Sequence, residues 1–216
     1  MRVEYIGVFC LVLLSCRDIQ PVESDTIISG YQLNGVVTTA NGVPVEDVEV
    51  RLYYNYTLVR TTPIDSVPVV VTDSTDIVDI AVYTQRYEFV RQLFLSYLPV
   101  GLVPRARWDG RDTSGTPVPS GKYLIRYVVD TVIVKYSPVL ISRNHTSTTD
   151  SFGRFIIPTD RFPIGELFDF YDSQNSYTGT YTVNPHIGLE FRKLNFRTSY
   201  SIELLKDQIT SIVFTL

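Results

Sequence analysis

The stretch VEVRLYY, residues 48–54, places an apolar or aromatic side chain at every second position, with glutamate, arginine and tyrosine between them. Alternation with a period of two is typical of a β-strand that has one buried face and one face exposed to solvent. The same alternation recurs over residues 78–82, 123–129 and 212–216. The chain also holds 15 tyrosines and 11 phenylalanines, which suit a pleated surface. We therefore predict an all-β fold.

One segment, RYEFVRQLFLSYL (residues 86–98), has a pattern that also fits a helix. Its apolar side chains fall at helical spacing from Tyr87 to Leu98. The strand patterns on either side, and the Pro99 and Gly101 that follow, favour a strand that ends in a turn. We predict a strand here.

The first 16 residues, MRVEYIGVFCLVLLSC, have the pattern of an export signal. Arg2 precedes an apolar run over residues 6–14, which is shorter than the ~20 residues that a membrane-spanning helix needs. The end of this run, Leu13-Leu14-Ser15-Cys16, resembles the lipobox of bacterial lipoproteins, which implies a lipid attached to Cys16. Residues 1–15 would then be the signal peptide and residues 16–29 a tether. An ordinary secretory signal with a coincidental cysteine is the alternative.

The lipobox resemblance also implies a location and a partner. The lipid would anchor the protein in a membrane of the cell envelope. Because Arg17, and not aspartate, follows Cys16, we expect the outer membrane. Both cysteines of the chain, Cys10 and Cys16, lie in this export region, so the remainder has no thiol for a disulfide or a soft metal.

Residues 30–52, GYQLNGVVTTANGVPVEDVEVRL, resemble the opening of the carboxypeptidase regulatory-like (transthyretin-like) domain. A later marker of that family fits residues 149–155, TDSFGRF. There Gly153 would supply a turn position with positive φ, and Phe155 would enter the core from the following strand. The resemblance also implies a closing hairpin over residues 198–216.

A second resemblance covers residues 78–130, which contain GLVPRARWDGRDTSGTPVPSGKYLIRYVVD. This block is similar to the Ig-like domain of flagellar hook-capping proteins. It departs from that family at residues 84–88, TQRYE, where the family has a turn glycine and this chain has none. The motif residues that carry the resemblance include Trp108, Asp109, Gly110, Asp112, Gly115 and Gly121.

Together the two resemblances imply two β-sandwich modules, one inserted in the other. The transthyretin-like module would comprise residues 30–60 and 147–216, and the Ig-like module residues 61–146. Exposed turns tolerate such insertions. Two modules in series are the alternative.

The residues around Trp108 are the best candidates for a site. Asp109, Asp112 and Ser114 could give oxygen ligands to calcium. However, Asp, Gly, Ser and Pro dominate the stretch, and aspartates hold such turns by accepting backbone N–H groups two residues on. We therefore predict a structural turn motif and no metal or cofactor. Its members are Trp108, Asp109, Gly110, Asp112, Gly115 and Gly121, with Gly153 in the other module.

No pattern in the chain predicts catalysis. There is no G-x-S-x-G motif, and the two histidines, His145 and His186, have no zinc-ligand spacing. The net charge of −4, without a basic cluster in the sequence, argues against nucleic acid.

We therefore expect a non-catalytic, lipid-anchored envelope protein with a structural or protein-interaction role. A glycan- or ligand-binding surface protein is the alternative, because exposed aromatic rings can stack on sugars. The aromatic side chains that motivate it are Phe168, Phe170, Tyr171, Tyr177, Tyr181, Phe191, Phe196 and Tyr200.

Overall fold

A computed structural model describes residues 29–64 and 68–216, and within these ranges strands account for almost all regular structure. The predicted all-β class is confirmed. The predicted signal peptide, Cys16 and most of the predicted tether lie outside the described residues. The strands are β1 (Tyr31–Thr38), β2 (Glu49–Arg60), β3 (Val70–Val71), β4 (Ile77–Thr84), β5 (Phe89–Tyr97), β6 (Gly101–Leu102), β7 (Gly121–Val129), β8 (Val132–Ile141), β9 (His145–Thr148), β10 (Arg154–Ile157), β11 (Leu167–Tyr171), β12 (Tyr177–Lys193), β13 (Phe196–Glu203) and β14 (Gln208–Thr215).

These strands form four sheets within the described ranges. Sheet I has the order β10-β1-β14, and sheet II the order β11-β12-β2-β9. Strand β12 is long enough to pair with β11 through its first half and with β13 through its second. Sheet III is the short pair β3-β6, and sheet IV has the order β5-β4-β7-β8.

The buried apolar side chains form two clusters. The first is filled from residues 33–54 and 155–214, and the second from residues 69–127. In β2, Val50, Leu52 and Tyr54 are buried, whereas Glu49 lies on the other face, so the predicted alternation is confirmed. The segment with the helix-like pattern is strand β5, as predicted.

The first cluster is built from two separate parts of the sequence, with the second cluster encoded between them. Strand β9 (His145–Thr148) pairs with β2 of the first part. It therefore begins two residues before the predicted module boundary at residue 147. The nested division itself remains a prediction.

The implied closing hairpin over residues 198–216 is wrong. Strand β13 pairs with β12 in sheet II, whereas β14 pairs in parallel with β1 in sheet I. The connection between them crosses from one sheet to the other. Leu204, which is 2% exposed, is buried in the first cluster at this crossing. Burial of the Leu204 side chain between the two sheets stabilises this crossing connection. A hairpin of two paired strands would not need such a buried side chain in its turn.

One five-residue turn recurs in five places within the described ranges. In each, the first N–H donates to the fifth carbonyl at 2.8–2.9 Å, and the fourth N–H donates to the first carbonyl at 2.8–3.1 Å. A side-chain oxygen of the first residue accepts the fifth N–H at 2.8–3.2 Å. The turns are 39–43, 84–88, 112–116, 150–154 and 172–176, and their first residue is Thr or Asp.

The fourth residue of every such turn has positive φ, between 62° and 83°. Glycine or asparagine fits this conformation in four of the turns. The fifth turn has Tyr87 there, with φ 62°. The turn over residues 84–88 therefore keeps the shared geometry without glycine or asparagine, at a cost of roughly 1–2 kcal/mol for a left-handed tyrosine.

Two glycines at the same turn position give a matched test. A Cβ on Gly153 would lie 2.3 Å from the Val37 carbonyl oxygen, whereas a Cβ on Gly115 would meet nothing within 4 Å. We expect Gly153→Ala to lower the free energy of unfolding by about 3 kcal/mol or more, and Gly115→Ala by only about 1 kcal/mol. Urea denaturation of both variants measures this. Equal losses would contradict the close approach at Gly153.

Candidate functional site

The predicted turn motif lies in the connection between β6 and β7. The Trp108 ring is half-buried and packs edge-on against Tyr123, with 5.0 Å between centroids. Its Nε1 donates to the Arg111 carbonyl at 2.7 Å. Trp108 thus packs at the margin of the second cluster. Gly110, beside it, is buried.

The Asp112 carboxylate is committed to its own turn. Oδ1 accepts the Ser114 hydroxyl at 2.6 Å and the N–H groups of Ser114 and Thr116 at 2.9 Å. The hydrogen bond from the Ser114 hydroxyl, together with those from the backbone, lowers the pKa of Asp112. Asp109 Oδ1 accepts the Arg111 N–H at 3.1 Å and pairs with Arg91 at 3.2 Å. Among the described residues, no group of three or more His, Cys, Asp or Glu side chains is placed to hold a metal ion.

Gly121 and Gly153 lie apart from this turn. Gly121 is buried beside the Arg161 side chain, and Gly153 closes the turn between β9 and β10. The predicted motif residues therefore do not converge on one site. Cys16, the predicted site of lipid attachment, lies outside the described residues.

Buried polar contacts join the two apolar clusters. The Ser120 hydroxyl, from the loop before β7, lies 3.0 Å from the Leu52 carbonyl oxygen of β2. The same hydroxyl accepts the Asn144 N–H at 3.0 Å. Ser120 has no exposed surface, so these contacts are shielded from water. We call this region the junction.

Aromatic and ionic contacts extend the junction. The Tyr54 hydroxyl donates to the Arg161 carbonyl at 2.6 Å, and Arg161 Nη1 donates to the Tyr123 hydroxyl at 3.2 Å. Burial raises the pKa of Tyr54 well above its usual value, so its hydroxyl stays a donor. The Arg105 guanidinium stacks on the Tyr171 ring, 3.5 Å from its centroid. Because tyrosine, arginine and backbone groups all contribute, the two clusters are held in one arrangement.

A charged network covers the outer face of sheet II. We call it the arginine face: Glu49, Arg51 and Tyr53 of β2, Arg143 of the loop after β8, Glu190 and Arg192 of β12, and Arg197 of β13. Strand pairing places Arg51 opposite Glu190, and Arg192 opposite Arg197. Sequence reasoning missed this group because its members come from segments up to about 140 residues apart. The only local signal is the glutamate–x–arginine spacing at Glu49 and Glu190.

Glu190 is the centre of the arginine face. It is only 1% exposed, although it lies on the outer side of the sheet. Its Oε2 accepts the Tyr53 hydroxyl at 2.7 Å and Arg197 Nε at 2.7 Å, and its Oε1 accepts Arg192 Nε. Burial raises the pKa of Glu190, but the hydrogen bonds from Tyr53, Arg192 and Arg197 outweigh burial and lower it overall.

Gly188 leaves room for the Tyr53 side chain. A Cβ on this residue would lie 3.2 Å from the Tyr53 Cβ. Because Gly188 has no side chain, the Tyr53 side chain can extend over β12 towards Glu190. On its other side, the Arg143 guanidinium lies 5.7 Å from the Tyr53 ring centroid. The ring is held between a glycine and a cation.

The outer face of sheet IV carries exposed aromatic rings around a polar centre. Phe89 and Tyr87 are 54% and 63% exposed, and pack edge-on against Tyr83 and Tyr136 respectively. At the centre, Arg126 Nη2 pairs with Asp79 at 2.9 Å. Arg126 Nε is buried and has no hydrogen-bond partner among the described residues.

The aromatic side chains in the last third of the sequence, which motivate the glycan-binding alternative, are mostly buried or half-buried. Phe168 and Phe191 are buried, and Phe196 is 43% exposed. The others are half-buried: Phe170, Tyr171, Tyr177, Tyr181 and Tyr200. The more exposed aromatic face is the one on sheet IV.

Comparison with protein-family models, with curated proteins and with solved structures found no match for this chain. Within residues 29–64 and 68–216, there is no helix long and apolar enough to span a bilayer. The class that the fold defines is an all-β protein built on several sheets.

The low pKa of Glu190 predicts a pH-dependent contribution to stability. A carboxylate whose pKa falls on folding stabilises the protein above its unfolded pKa, about 4.3, and loses that effect as the pH falls through the folded value. We expect Glu190→Gln to lower the free energy of unfolding by about 1–2 kcal/mol at pH 7. The deficit should shrink below pH ~4.3.

Urea denaturation across this pH range measures the deficit. Glu203→Gln is the control, because the Glu203 side chain is 57% exposed. A Glu190→Gln deficit that stayed constant on acidification would show that the carboxylate charge is not what stabilises the face.

Proposed function

We propose that this chain is a non-catalytic, lipid-anchored protein of the cell envelope that acts as a rigid interaction module. The observation that carries the proposal is the junction, where Ser120 links the loop before β7 to Leu52 of β2 without exposure to water. A body fixed in this way can hold its outer faces at constant geometry against a partner. Asp112, which the sequence singled out, supports the same role because its carboxylate holds a turn, as that of Asp150 does in another turn.

We further propose that the module joined to β2 by the junction is an Ig-like insertion of residues 61–146 in a transthyretin-like domain. What supports this reading is the order of the two apolar clusters along the chain. The lipobox-like residues 13–16 support the anchor, and Arg17, which stands where aspartate would favour the inner membrane, supports an outer-membrane location. The partner would then be another envelope protein.

Replacing the lipid attachment residue tests the anchor. We expect wild-type protein to incorporate radiolabelled palmitate and to sediment with membranes, and Cys16→Ala to lose both properties because the thiol that carries the acyl chain is gone. Cys10→Ala, which changes the other cysteine, is the matched control and should keep both. A Cys16→Ala form that stayed in the membrane pellet would contradict the anchor.

Glycan binding is the second candidate function, and the aromatic face of sheet IV favours it. Exposed Phe89 and Tyr136 could stack on sugar rings. This face differs from the aromatic group that the sequence suggested.

A polysaccharide array measures this second function. We expect Phe89→Ala to weaken any binding by about tenfold, as loss of one stacking contact does. Phe152→Ala is the matched control, since Phe152 is 62% exposed and lies outside sheet IV. Binding that was equally strong in both variants would place the site elsewhere.

A further inference from the structure

The arginine face carries more positive charge than its own carboxylates neutralise. Its four guanidiniums and two carboxylates leave an excess of two positive charges, in a chain whose net charge is −4. The guanidiniums belong to Arg51, Arg143, Arg192 and Arg197, and the carboxylates to Glu49 and Glu190.

The excess is concentrated on the outer side of the network. Arg51 pairs with Glu49 at 2.8 Å, and Arg192 and Arg197 both pair with Glu190. The Arg143 guanidinium forms no ion pair with any described residue, and it lies over the Tyr53 ring. The Arg197 side chain is 63% exposed. Two of the four guanidiniums are therefore open to a ligand from solvent.

We propose that the arginine face binds a phosphate monoester. Such a group carries about −1.5 to −2 charges at pH 7, which matches the excess of two positive charges, whereas one carboxylate would neutralise only half of it. Guanidinium groups bind phosphate through paired N–H donors. Arg143 and Arg197 supply the direct contacts. The proposal goes beyond the anchoring role and does not depend on the lipid.

The contacts on the face are ordered before any ligand arrives. Glu190, at 1% exposure, binds Arg192 through Nε, so the two Nη groups of Arg192 lie outside that bond. Tyr53 is fixed by its hydrogen bond to Glu190 and by the space above Gly188. The Glu190 carboxylate accepts hydrogen bonds from Tyr53, Arg192 and Arg197 at once, so it also fixes where these groups point. Its role on this face is to position the arginines, which reduces the ordering that a ligand must impose.

Calorimetric titration with inorganic phosphate and with glucose 6-phosphate tests the proposal on the full chain carrying Cys16→Ala. We expect both ligands to bind and Arg143→Gln to weaken binding about tenfold, as loss of one charge-assisted contact does. Arg60→Gln is the matched control, with the same charge change at the far end of β2. It should bind as the parent does, and added salt should weaken all binding.

A second variant and a vesicle assay complete the test. If Arg143→Gln lowers the thermal midpoint of unfolding, and is therefore destabilised, Arg197→Gln tests the same site in its place. Co-sedimentation with vesicles containing phosphatidic acid, against phosphatidylcholine alone, distinguishes a lipid source of the phosphate from a soluble one, and Arg143-dependent binding to either supports the proposal. Equal affinity of Arg143→Gln and Arg60→Gln, or no binding of the parent to any of the three probes, overturns it.

Discussion

The carbonyl of Leu52 is the contact on which the arrangement of the two clusters depends. Strand β9 pairs with β2 only as far as Arg51, so beyond this point one edge of β2 has lost its partner strand. The Arg143 N–H donates to the Leu52 carbonyl at 2.9 Å, and the Ser120 hydroxyl lies 3.0 Å from it. Backbone groups that leave water need partners, and here the returning chain supplies them. Satisfying one strand edge thus fixes where the second cluster sits.

Strand β2 joins this edge to the core and to the arginine face. Leu52 and Val50 point into the first cluster, while Arg51 and Tyr53 point outward. Because the side-chain period of a strand is two, a slip of one residue would exchange these faces. The buried leucine and valine therefore hold the register that brings Tyr53 to Glu190. The geometry of the charged face follows from the packing of the apolar one.

The sequence predicts the strands well because their signals are local. The alternation over residues 48–54 is visible without knowing which strands pair. Strand β5 is predicted from the strand patterns on either side of it in the sequence. The crossing at Leu204 and the arginine face depend on which strands pair, which no local pattern encodes. The implied hairpin over residues 198–216 fails for the same reason. At Tyr87 a local signal is missing although the structure is formed: its turn lacks glycine, and yet it keeps the shared geometry through the side-chain oxygen of Thr84.

The position of Glu190 links the stability of the arginine face to the orientation of its guanidiniums. Replacing a whole buried ion pair by apolar residues costs little stability, but removing only the carboxylate leaves its cationic partners unpaired and is destabilising. An apolar residue at this position would leave Arg192 and Arg197 without an anchor, and their guanidiniums would be free to reorient. The glutamate therefore both stabilises this face and orients its guanidiniums. Oriented guanidiniums with an unneutralised excess charge, held on a register-locked strand, meet the physical requirements of a preorganised anion site.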